Sequence, residues 1–171
     1  GLVGFGRLGK EMARFGAAFR MDVVAWSRSL TDAQAAEHGA TRAASLDDLL
    51  TTSDFVSVHL PQTAETVGLI DARALAAMKA SAYLVNTARG PIVDEAALID
   101  ALTRGTIRGA ALDVYDTEPL PAEHPFRTLG NVVAVPHLGY VTEETYRSYF
   151  TGVVEAISGW LDGAPVRVLT A

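Results

Sequence analysis

The sequence contains no cysteine. Disulfides, thiolate metal ligands and thiol nucleophiles are therefore excluded, and such a composition is typical of proteins in a reducing compartment, so we expect a cytoplasmic location. No apolar run approaches the roughly 20 residues that a membrane helix requires, and no charged leader precedes an apolar signal segment. We therefore expect no membrane partner.

Positive charge is scarce as well. The chain has 14 Lys and Arg against 20 Asp and Glu, a net charge of −6, and no basic run. A phosphate backbone would be repelled on average, so we expect no nucleic-acid partner. The patterns H-E-x-x-H, G-x-x-x-x-G-K-[ST] and G-x-S-x-G are missing, which argues against zinc proteases, P-loop proteins and serine hydrolases. We predict no metal site.

The composition that remains is that of an ordinary globular protein, 49% hydrophobic and 20% charged over 171 residues. That length suits one domain with a full core, and no repeat or linker divides it. We therefore expect residues 1–171 to form one domain. Because the chain opens with Gly1 inside an apolar run and not with methionine, we interpret it as part of a longer protein.

Short β-branched runs alternate with helical patterns along the chain, which is typical of βαβ units. We predict an α/β fold with a doubly wound parallel sheet. The predicted strands are 2–4, 23–26, 55–58, 82–86, 107–112 and 132–135, with a possible short strand near residue 41. The predicted helices are 7–19, 31–38, 46–51, 71–79, 94–103 and 142–161.

Local signals refine the helices and one loop. In the first helix, large apolar residues recur at helical spacing and predict a face packed on the core: Leu8, Met12, Phe15 and Phe19. Asp71 and Asp94 lie near helix starts, where a carboxylate can cap free N–H groups. The segment 116–125, rich in Pro and Glu, predicts one long surface loop.

Residues 4–9, GFGRLG, match the dinucleotide-binding pattern G-x-G-x-x-G between a strand and an amphipathic helix. In this pattern Gly4 allows a tight turn, Gly6 lets a pyrophosphate approach, and Gly9 lets the helix pack closely on the strand. The helix N-terminus then donates N–H groups to the phosphates. The alternative is a purely structural turn between strand and helix.

The second strand is followed by Ser27, Arg28 and Ser29, where NAD-binding sites usually carry Asp or Glu for the ribose 2′-hydroxyl. Serine hydroxyls and a guanidinium can hold a 2′-phosphate, so the pattern favours NADP over NAD. In the alternative interpretation, Arg28 points into solvent and Ser27 replaces the acid with little consequence.

Three consecutive strands are followed by polar or ionisable residues: Arg89, then Asp113 and Glu118, then His137. The carboxyl ends of parallel strands share one edge, where ligands collect. A guanidinium to bind a carboxylate, an imidazole to transfer a proton and a carboxylate to orient the imidazole form a coherent set for reducing a 2-keto acid. A lone histidine at a strand end is more often structural, so this role for His137 depends on its partners.

Five motifs in order resemble the cofactor domain of the D-isomer-specific 2-hydroxyacid dehydrogenases: VGFGRLG, HLPQTAETVGLI, NTARGPIVDEAAL, ALDVYDTEP and PHLGY. The resemblance covers nearly the whole chain. It implies a Rossmann-type cofactor domain of a two-domain enzyme that transfers a hydride between NAD(P)H and a small 2-keto or 2-hydroxy acid. Glyoxylate, hydroxypyruvate and larger keto acids all remain open; the formate branch carries glutamine where Glu118 stands, which argues against formate.

By motif, the resemblance implies that Arg89 binds substrate, that Glu118 pairs with the histidine, and that His137 is the acid/base. It also implies a cofactor-contacting set. Besides the three glycines and residues 27–29, this set comprises Arg7, Leu8, His59, Leu60, Pro61, Thr66, Thr87, Ala88, Asp113, His137 and Gly139. For His59, packing is an equally good interpretation. We expect His38 and His124 to be solvated.

A second hypothesis comes from a different functional class. The C-terminal-binding-protein corepressors resemble this chain in fold and in the three chemical residues, but they act as dinucleotide-sensing scaffolds with little turnover. Members of the resembled family often dimerise through this domain, so we expect a homodimer. From about residue 142 we expect the last helix to return toward a domain that is absent here, and an isolated piece to turn over little.

Overall fold

The computed structural model describes residues 1–169. The contacts within the chain form two compact units, Gly1–His137 and Leu138–Ala171. Each unit is described by itself below. All the predicted site residues except Gly139 belong to the first.

The first unit is built on a seven-stranded sheet in which every neighbouring pair is parallel. The strand order is β3-β2-β1-β4-β5-β6-β7, so successive strands are added first on one side of β1 and then on the other. The strands are β1 Leu2–Val3, β2 Val24–Trp26, β3 Thr41–Arg42, β4 Phe55–Val58, β5 Tyr83–Asn86, β6 Gly109–Leu112 and β7 Val132–Ala134. The predicted doubly wound sheet is confirmed, including the short strand near residue 41.

The helices of this unit connect consecutive strands, as predicted. They are α1 Arg7–Ala18, α2 Asp32–Glu37, α3 Leu46–Thr52, α4 Ala72–Ala77 and α5 Glu95–Arg104, with short 3-10 helices at Gly90–Ile92 and Pro125–Arg127. Both predicted caps are confirmed: the Asp71 carboxylate accepts the Ala74 N–H at 2.8 Å, and that of Asp94 accepts the Ala97 N–H at 2.9 Å.

The prediction that large apolar residues pack α1 on the core is wrong. These residues are exposed: Leu8 62%, Met12 38%, Phe15 58% and Phe19 75%. The buried residues of α1 are Gly9 and Ala13, and a Cβ on Gly16 would lie 2.7 Å from the Val23 side chain. The helix therefore approaches the sheet through small residues, which allow a close approach and leave the longer side chains outside.

Two apolar clusters reflect this difference in packing. The larger contains strand residues such as Val56 and Leu84 together with Leu49, Leu75 and Leu98 from α3, α4 and α5. The smaller one surrounds Phe5 and consists mainly of alanines and leucine from β1, β2, α1 and α2. Burial of apolar area in the larger cluster supplies most of the hydrophobic stabilisation and fixes the strand ends that carry the site.

The second unit contains α6, Glu143–Leu161, which matches its predicted range. The Thr142 hydroxyl accepts the Thr145 N–H at 3.1 Å and caps this helix. None of its residues is buried. Over residues 1–169, no helix combines the length and apolar character needed to cross a membrane.

Candidate active site

Gly4 forms the turn after β1 with a backbone conformation that favours glycine. Its φ is +102°, and a Cβ on it would lie 2.6 Å from the His59 carbonyl oxygen. Its N–H donates to the Trp26 carbonyl at 2.8 Å. The turn is thus packed between the ends of β2 and β4, as expected for the first glycine of the pattern.

Gly6 and Gly9 have opposite surroundings. A Cβ on Gly9 would lie 2.3 Å from the Gly4 carbonyl oxygen, whereas a Cβ on Gly6 would meet nothing within 4 Å. Gly6 is the N-cap of α1, no side chain caps this helix, and its first turn holds no acidic residue. With Arg7 and Leu8 also exposed, this open, uncapped helix end fits the pyrophosphate of a dinucleotide.

Ser27, Arg28 and Ser29 follow β2 directly; Ser27 is half-buried, and Arg28 and Ser29 are exposed. A hydrogen bond from the Thr63 hydroxyl at 2.6 Å holds the pKa of Glu65 below its usual range, and the positive charge of Arg28 contributes less. Arg28 therefore lies within electrostatic reach of the loop that follows β4, the strand whose end also contacts the glycine turn.

His59 is held at the end of β4. Its N–H donates to the Val3 carbonyl at 2.7 Å, and its Nε2 lies 2.9 Å from the Ser57 hydroxyl. Burial lowers the pKa of His59 below its ordinary value of 6.5. The side chain of the next residue, Leu60, would lie 3.0 Å from a Cβ on Gly4. This position is compatible with both interpretations of His59, packing and contact with a cofactor.

Thr66 is buried and organises the loop after β4. Its hydroxyl donates to the Pro61 carbonyl at 2.7 Å and accepts the Thr63 N–H at 2.8 Å. The hydroxyl is therefore engaged within the loop, and it shapes the exposed Pro61 surface beside the glycine turn.

Arg89 is presented by a turn that Asn86 builds at the end of β5. Asn86 is 1% exposed; its Nδ2 donates to the Arg89 carbonyl at 2.9 Å and its Oδ1 accepts the Ala88 N–H at 3.1 Å. Thr87 is exposed on this turn, and Arg89 Nη1 donates to the Ala88 carbonyl at 2.6 Å. Sequence reasoning missed Asn86, although an Asn before small residues at a strand end is an Asx-turn signal.

Glu118 and His137 are in direct contact, as predicted. The Glu118 Oε2 and His137 Nδ1 atoms are 2.7 Å apart, and the side chains are 35% and 37% exposed. Partial burial raises the pKa of Glu118, but hydrogen bonds from His137 and the Tyr115 N–H, with the nearby charge of Arg89, outweigh it and leave that pKa below 4.5. The ionised carboxylate accepts, so His137 Nδ1 is the protonated donor in this contact.

The backbone of His137 has a φ of +54°, in the left-handed region. Residues other than glycine adopt it uncommonly, and such conformations concentrate at functional sites. The residue thus leaves β7 in a conformation set by its surroundings.

Tyr115 is a further residue that sequence reasoning missed. It is buried, its N–H donates to Glu118 Oε1 at 2.9 Å, and its hydroxyl donates to the Leu112 and Val135 carbonyls at 3.1 and 2.9 Å. It therefore connects Glu118 with the ends of β6 and β7. Asp113, one of the residues predicted to contact the cofactor, directly follows β6 and is 4% exposed.

The prediction that His124 is solvated is wrong. Its side chain is 14% exposed, and its Nε2 lies 3.0 Å from Glu95 Oε1. Burial, followed by the negative charges of Glu95 and Asp94, raises the pKa of the nearby Asp116. His38 is half-buried, with its ring edge-on to that of Phe5 at 6.1 Å. The loop after β6 is therefore anchored to α5 through His124, a residue that we had expected to be solvated.

Several clefts border the sheet of the first unit. One of about 320 Å³ includes Glu118 and His137 and is lined by Tyr115, Glu118, Pro119, Leu120, Pro136 and His137, a size suited to a small ligand. A larger one of about 680 Å³ lies over Tyr83, Val85 and Val133 and contains none of the predicted site residues. Within residues 1–169, no group of three or more His, Asp or Glu could hold a metal ion.

This arrangement, a glycine turn at a helix start and a carboxylate–imidazole pair at the same edge of one parallel sheet, agrees with a family comparison. The family model described as D-isomer specific 2-hydroxyacid dehydrogenase, NAD binding domain, matches residues 1–139. The chain belongs to this family. Gly4, Gly6 and Gly9, Arg89, and the Glu118–His137 pair all lie inside the matched range.

Among relatives of this 2-hydroxyacid dehydrogenase domain, a D-3-phosphoglycerate dehydrogenase of Mycobacterium bovis is 49% identical over 157 residues, which cover 92% of this chain and 29% of that protein. A glyoxylate/hydroxypyruvate reductase B of Yersinia pestis is 46% identical over 166 residues, 95% of this chain and 50% of that protein. The chain therefore spans half or less of the length of these relatives.

A solved structure shows the same fold. The D-isomer specific 2-hydroxyacid dehydrogenase from Xanthobacter autotrophicus Py2 superposes with a TM-score of 0.86 at 38% identity, covering 97% of this chain and 54% of that one. This likeness confirms the predicted Rossmann-type sheet of the family.

Proposed function

We propose that the protein containing this chain is an NAD(P)-dependent oxidoreductase that interconverts a small 2-keto acid and the corresponding 2-hydroxy acid. The observation that carries the proposal is the contact of 2.7 Å between Glu118 and His137, at the same sheet edge as the Arg89 turn. A carboxylate-bound imidazole beside a guanidinium matches the needs of proton transfer to a substrate that carries its own carboxylate.

The residues present fit a dinucleotide. Gly6 leaves open the space that a Cβ would occupy, and the uncapped start of α1 offers backbone N–H donors. We assign the pyrophosphate to Gly6, Arg7 and Leu8, the ribose end to residues 27–29, and the nicotinamide end to the strand ends that carry Thr87 and Asp113. When bound, the reduced cofactor supplies a hydride to the keto carbon.

His137 serves as the acid/base in this proposal. Its Nδ1–H is held by the ionised Glu118, which fixes the ring orientation and leaves Nε2 as the atom that exchanges a proton with the substrate. In the reduction, the Nε2 proton passes to the carbonyl oxygen of the substrate; in the oxidation, Nε2 accepts the hydroxyl proton. The lowered pKa of Glu118 keeps its carboxylate ionised throughout the neutral range.

Arg89 binds the substrate carboxylate and polarises its keto group. A guanidinium has five N–H donors in a planar fork; one of them, on Nη1, binds the Ala88 carbonyl and holds the guanidinium against the turn. Its charge already acts on Glu118, so the substrate-binding and proton-transfer groups lie within electrostatic reach of each other.

For the cofactor we propose NADP over NAD. The support is the absence of a carboxylate at Ser27 and the presence of Arg28 within reach of the loop after β4. Arg28→Ala should weaken NADPH binding about tenfold or more and leave NADH binding within about twofold, since only the 2′-phosphate forms a charge-assisted bond. Equal losses for both cofactors would contradict the assignment.

The decisive experiment is steady-state turnover of the complete natural protein over a panel of 2-keto acids, with NADH and NADPH in parallel. His137→Ala should lower turnover by about two to four orders of magnitude. Arg89→Lys should raise KM for the keto acid, while the matched Arg73→Lys, whose guanidinium pairs with Asp47 at the surface, should change nothing. Cofactor binding with negligible turnover would refute the enzyme and favour the dinucleotide-sensing scaffold.

We also propose that the complete protein is a homodimer in solution, that it is located in the cytoplasm, and that it has no membrane or nucleic-acid partner. The location and partners rest on the lack of cysteine and the net charge of −6. Sedimentation of the complete protein tests the dimer, and a concentration-independent monomer mass would contradict it.

A further inference from the structure

One carboxylate ties the loop that carries Glu118 to α5 at two places. Glu95 Oε1 lies 3.0 Å from His124 Nε2, and Glu95 Oε2 accepts the Asp116 N–H at 3.4 Å. Asp116 precedes Glu118 in the loop and His124 follows it. Glu95, itself only 23% exposed, therefore fixes the loop from both sides of Glu118.

The hydrogen bonds of His124 specify one orientation and one tautomer. Its Nδ1 accepts the Phe126 N–H at 3.3 Å, so the ring proton lies on Nε2 and is donated to Glu95. The ring also packs on that of Phe126, with centroids 4.8 Å apart. The imidazole thus caps the 3-10 helix Pro125–Arg127 with one nitrogen and binds α5 with the other.

The same loop is pressed against the residue that follows Arg89. A Cβ on Gly90 would lie 2.1 Å from the Tyr115 carbonyl carbon and 2.6 Å from the Asp116 nitrogen. The Tyr115 N–H in turn binds Glu118 at 2.9 Å. Any shift of the 115–116 peptide would therefore move Glu118 relative to Arg89.

We propose that Glu95 and His124 are positioning residues, which hold Glu118 in the place where it meets His137 beside Arg89. They act through the loop and do not touch substrate. The inference rests on the proposed dehydrogenase function for its kinetic consequence, and on geometry alone for its effect on the Glu118–His137 contact.

The variants Glu95→Gln and His124→Asn separate positioning from simple stabilisation. Gln at 95 cannot accept from both His124 and Asp116, and Asn at 124 keeps a cap for the Phe126 N–H but loses the bond to Glu95. We expect each to lower kcat about 10- to 100-fold, as for misplacement of a catalytic group, with KM for the cofactor within about twofold. Combining them should cost little more than the worse single change, because they break the same contact.

Asp100→Asn is the matched control. Asp100 lies on the same helix and is 60% exposed, paired with Arg104 at 2.7 Å, and it should leave kcat unchanged. The pH profile of kcat/KM should move in Glu95→Gln and His124→Asn in the same direction as in Glu118→Gln. If Glu95 and His124 only stabilise the fold, replacing them would lower the melting temperature and leave the pH profile of kcat/KM unchanged.

The second measurement does not need turnover. In ¹⁵N-histidine NMR spectra of the complete protein, the His137 ring signals should shift in Glu95→Gln and His124→Asn toward those of Glu118→Gln, and stay unmoved in Asp100→Asn. If the wild type turns over no keto acid, the dehydrogenase proposal fails while this measurement still tests the positioning. The positioning proposal would be overturned if the folded variants Glu95→Gln and His124→Asn gave wild-type His137 signals. In an active enzyme it would also be overturned if both variants kept the wild-type kcat and pH profile.

Discussion

Replacing Gly6 by Ala tests the assignment of the glycine turn to a pyrophosphate, because the structure separates folding from binding at this position. A Cβ at Gly6 meets nothing within 4 Å, and its φ of −78° and ψ of −161° are close to extended values open to alanine. The cost to folding is then only that of a poorer N-cap, about 1 kcal/mol or less.

Binding should suffer far more than folding. The added methyl group occupies the space in which a phosphate oxygen would meet the N–H groups of α1, and a hydrogen bond to a charged group contributes about 1.5–3 kcal/mol. Loss of one such bond weakens binding about 10- to 150-fold. Isothermal titration of the complete protein with NADH and NADPH measures this directly, beside urea unfolding of the same samples.

Two other glycines complete the test. Gly130→Ala also adds a methyl group in open space, away from the site, and should change neither affinity nor stability by much. Gly9→Ala places a Cβ 2.3 Å from the Gly4 carbonyl oxygen, an overpacking that costs about 1–3 kcal/mol or more of stability. Wild-type cofactor affinity in Gly6→Ala would refute the assignment of the pyrophosphate to this turn. A loss of stability in Gly6→Ala as large as that in Gly9→Ala would refute the claim that this position affects binding without affecting folding.

Three more predictions concern charge and exposure. Glu118→Gln keeps an acceptor for His137 Nδ1 but replaces the charge-assisted hydrogen bond that orients the ring by a weaker neutral one, so kcat/KM for reduction should fall about tenfold or more; steady-state rates near wild type would contradict the pairing. Because burial lowers the pKa of His59 below 6.5, the unfolded chain binds that proton more tightly, and the free energy of unfolding should rise with pH across the window just below 6.5. Urea midpoints of His59→Gln should show a flatter rise there, and an unaltered slope would argue against it. Phe15, 58% exposed, should tolerate Ser within about 0.5 kcal/mol; a larger loss of stability in the complete protein would show that this face is covered there.

The strands, helix starts and glycine turn could be predicted from sequence alone because each depends on a short local pattern of residues. β-Branched runs fixed the strands, Asp71 and Asp94 marked helix starts, and the spacing of Gly4, Gly6 and Gly9 located the turn after β1. Parallel strands bring their carboxyl ends to one edge of the sheet. The sequence therefore predicted that Arg89, Glu118 and His137 share this edge, although it could not predict the distances between them.

The predictions that were wrong share one physical cause. A local sequence pattern shows that a residue suits a contact, but it does not show which residue the contact is made with. The apolar stripe of α1 is amphipathic at the right period, yet the sheet is met by Gly9 and Ala13, because close helix–sheet packing selects small residues. His124 seemed a loop histidine since its partner Glu95 lies 29 residues away in sequence. Nothing local to either residue indicates the pair.

The residues that anchor the site are more buried than those that carry its chemistry. Asn86 is 1% exposed and fixes the Arg89 turn; Tyr115 is 5% exposed and binds both Glu118 and, through its hydroxyl, the Val135 carbonyl before His137. Functional groups must be held within about 0.5 Å to act, which requires supporting residues with locked rotamers and satisfied hydrogen bonds. Burial gives the anchors that rigidity, whereas the chemical groups must stay open to substrate. The division explains why motif reasoning finds the chemical groups first: their residue types are dictated by chemistry, while those of the anchors are dictated by the backbone they support.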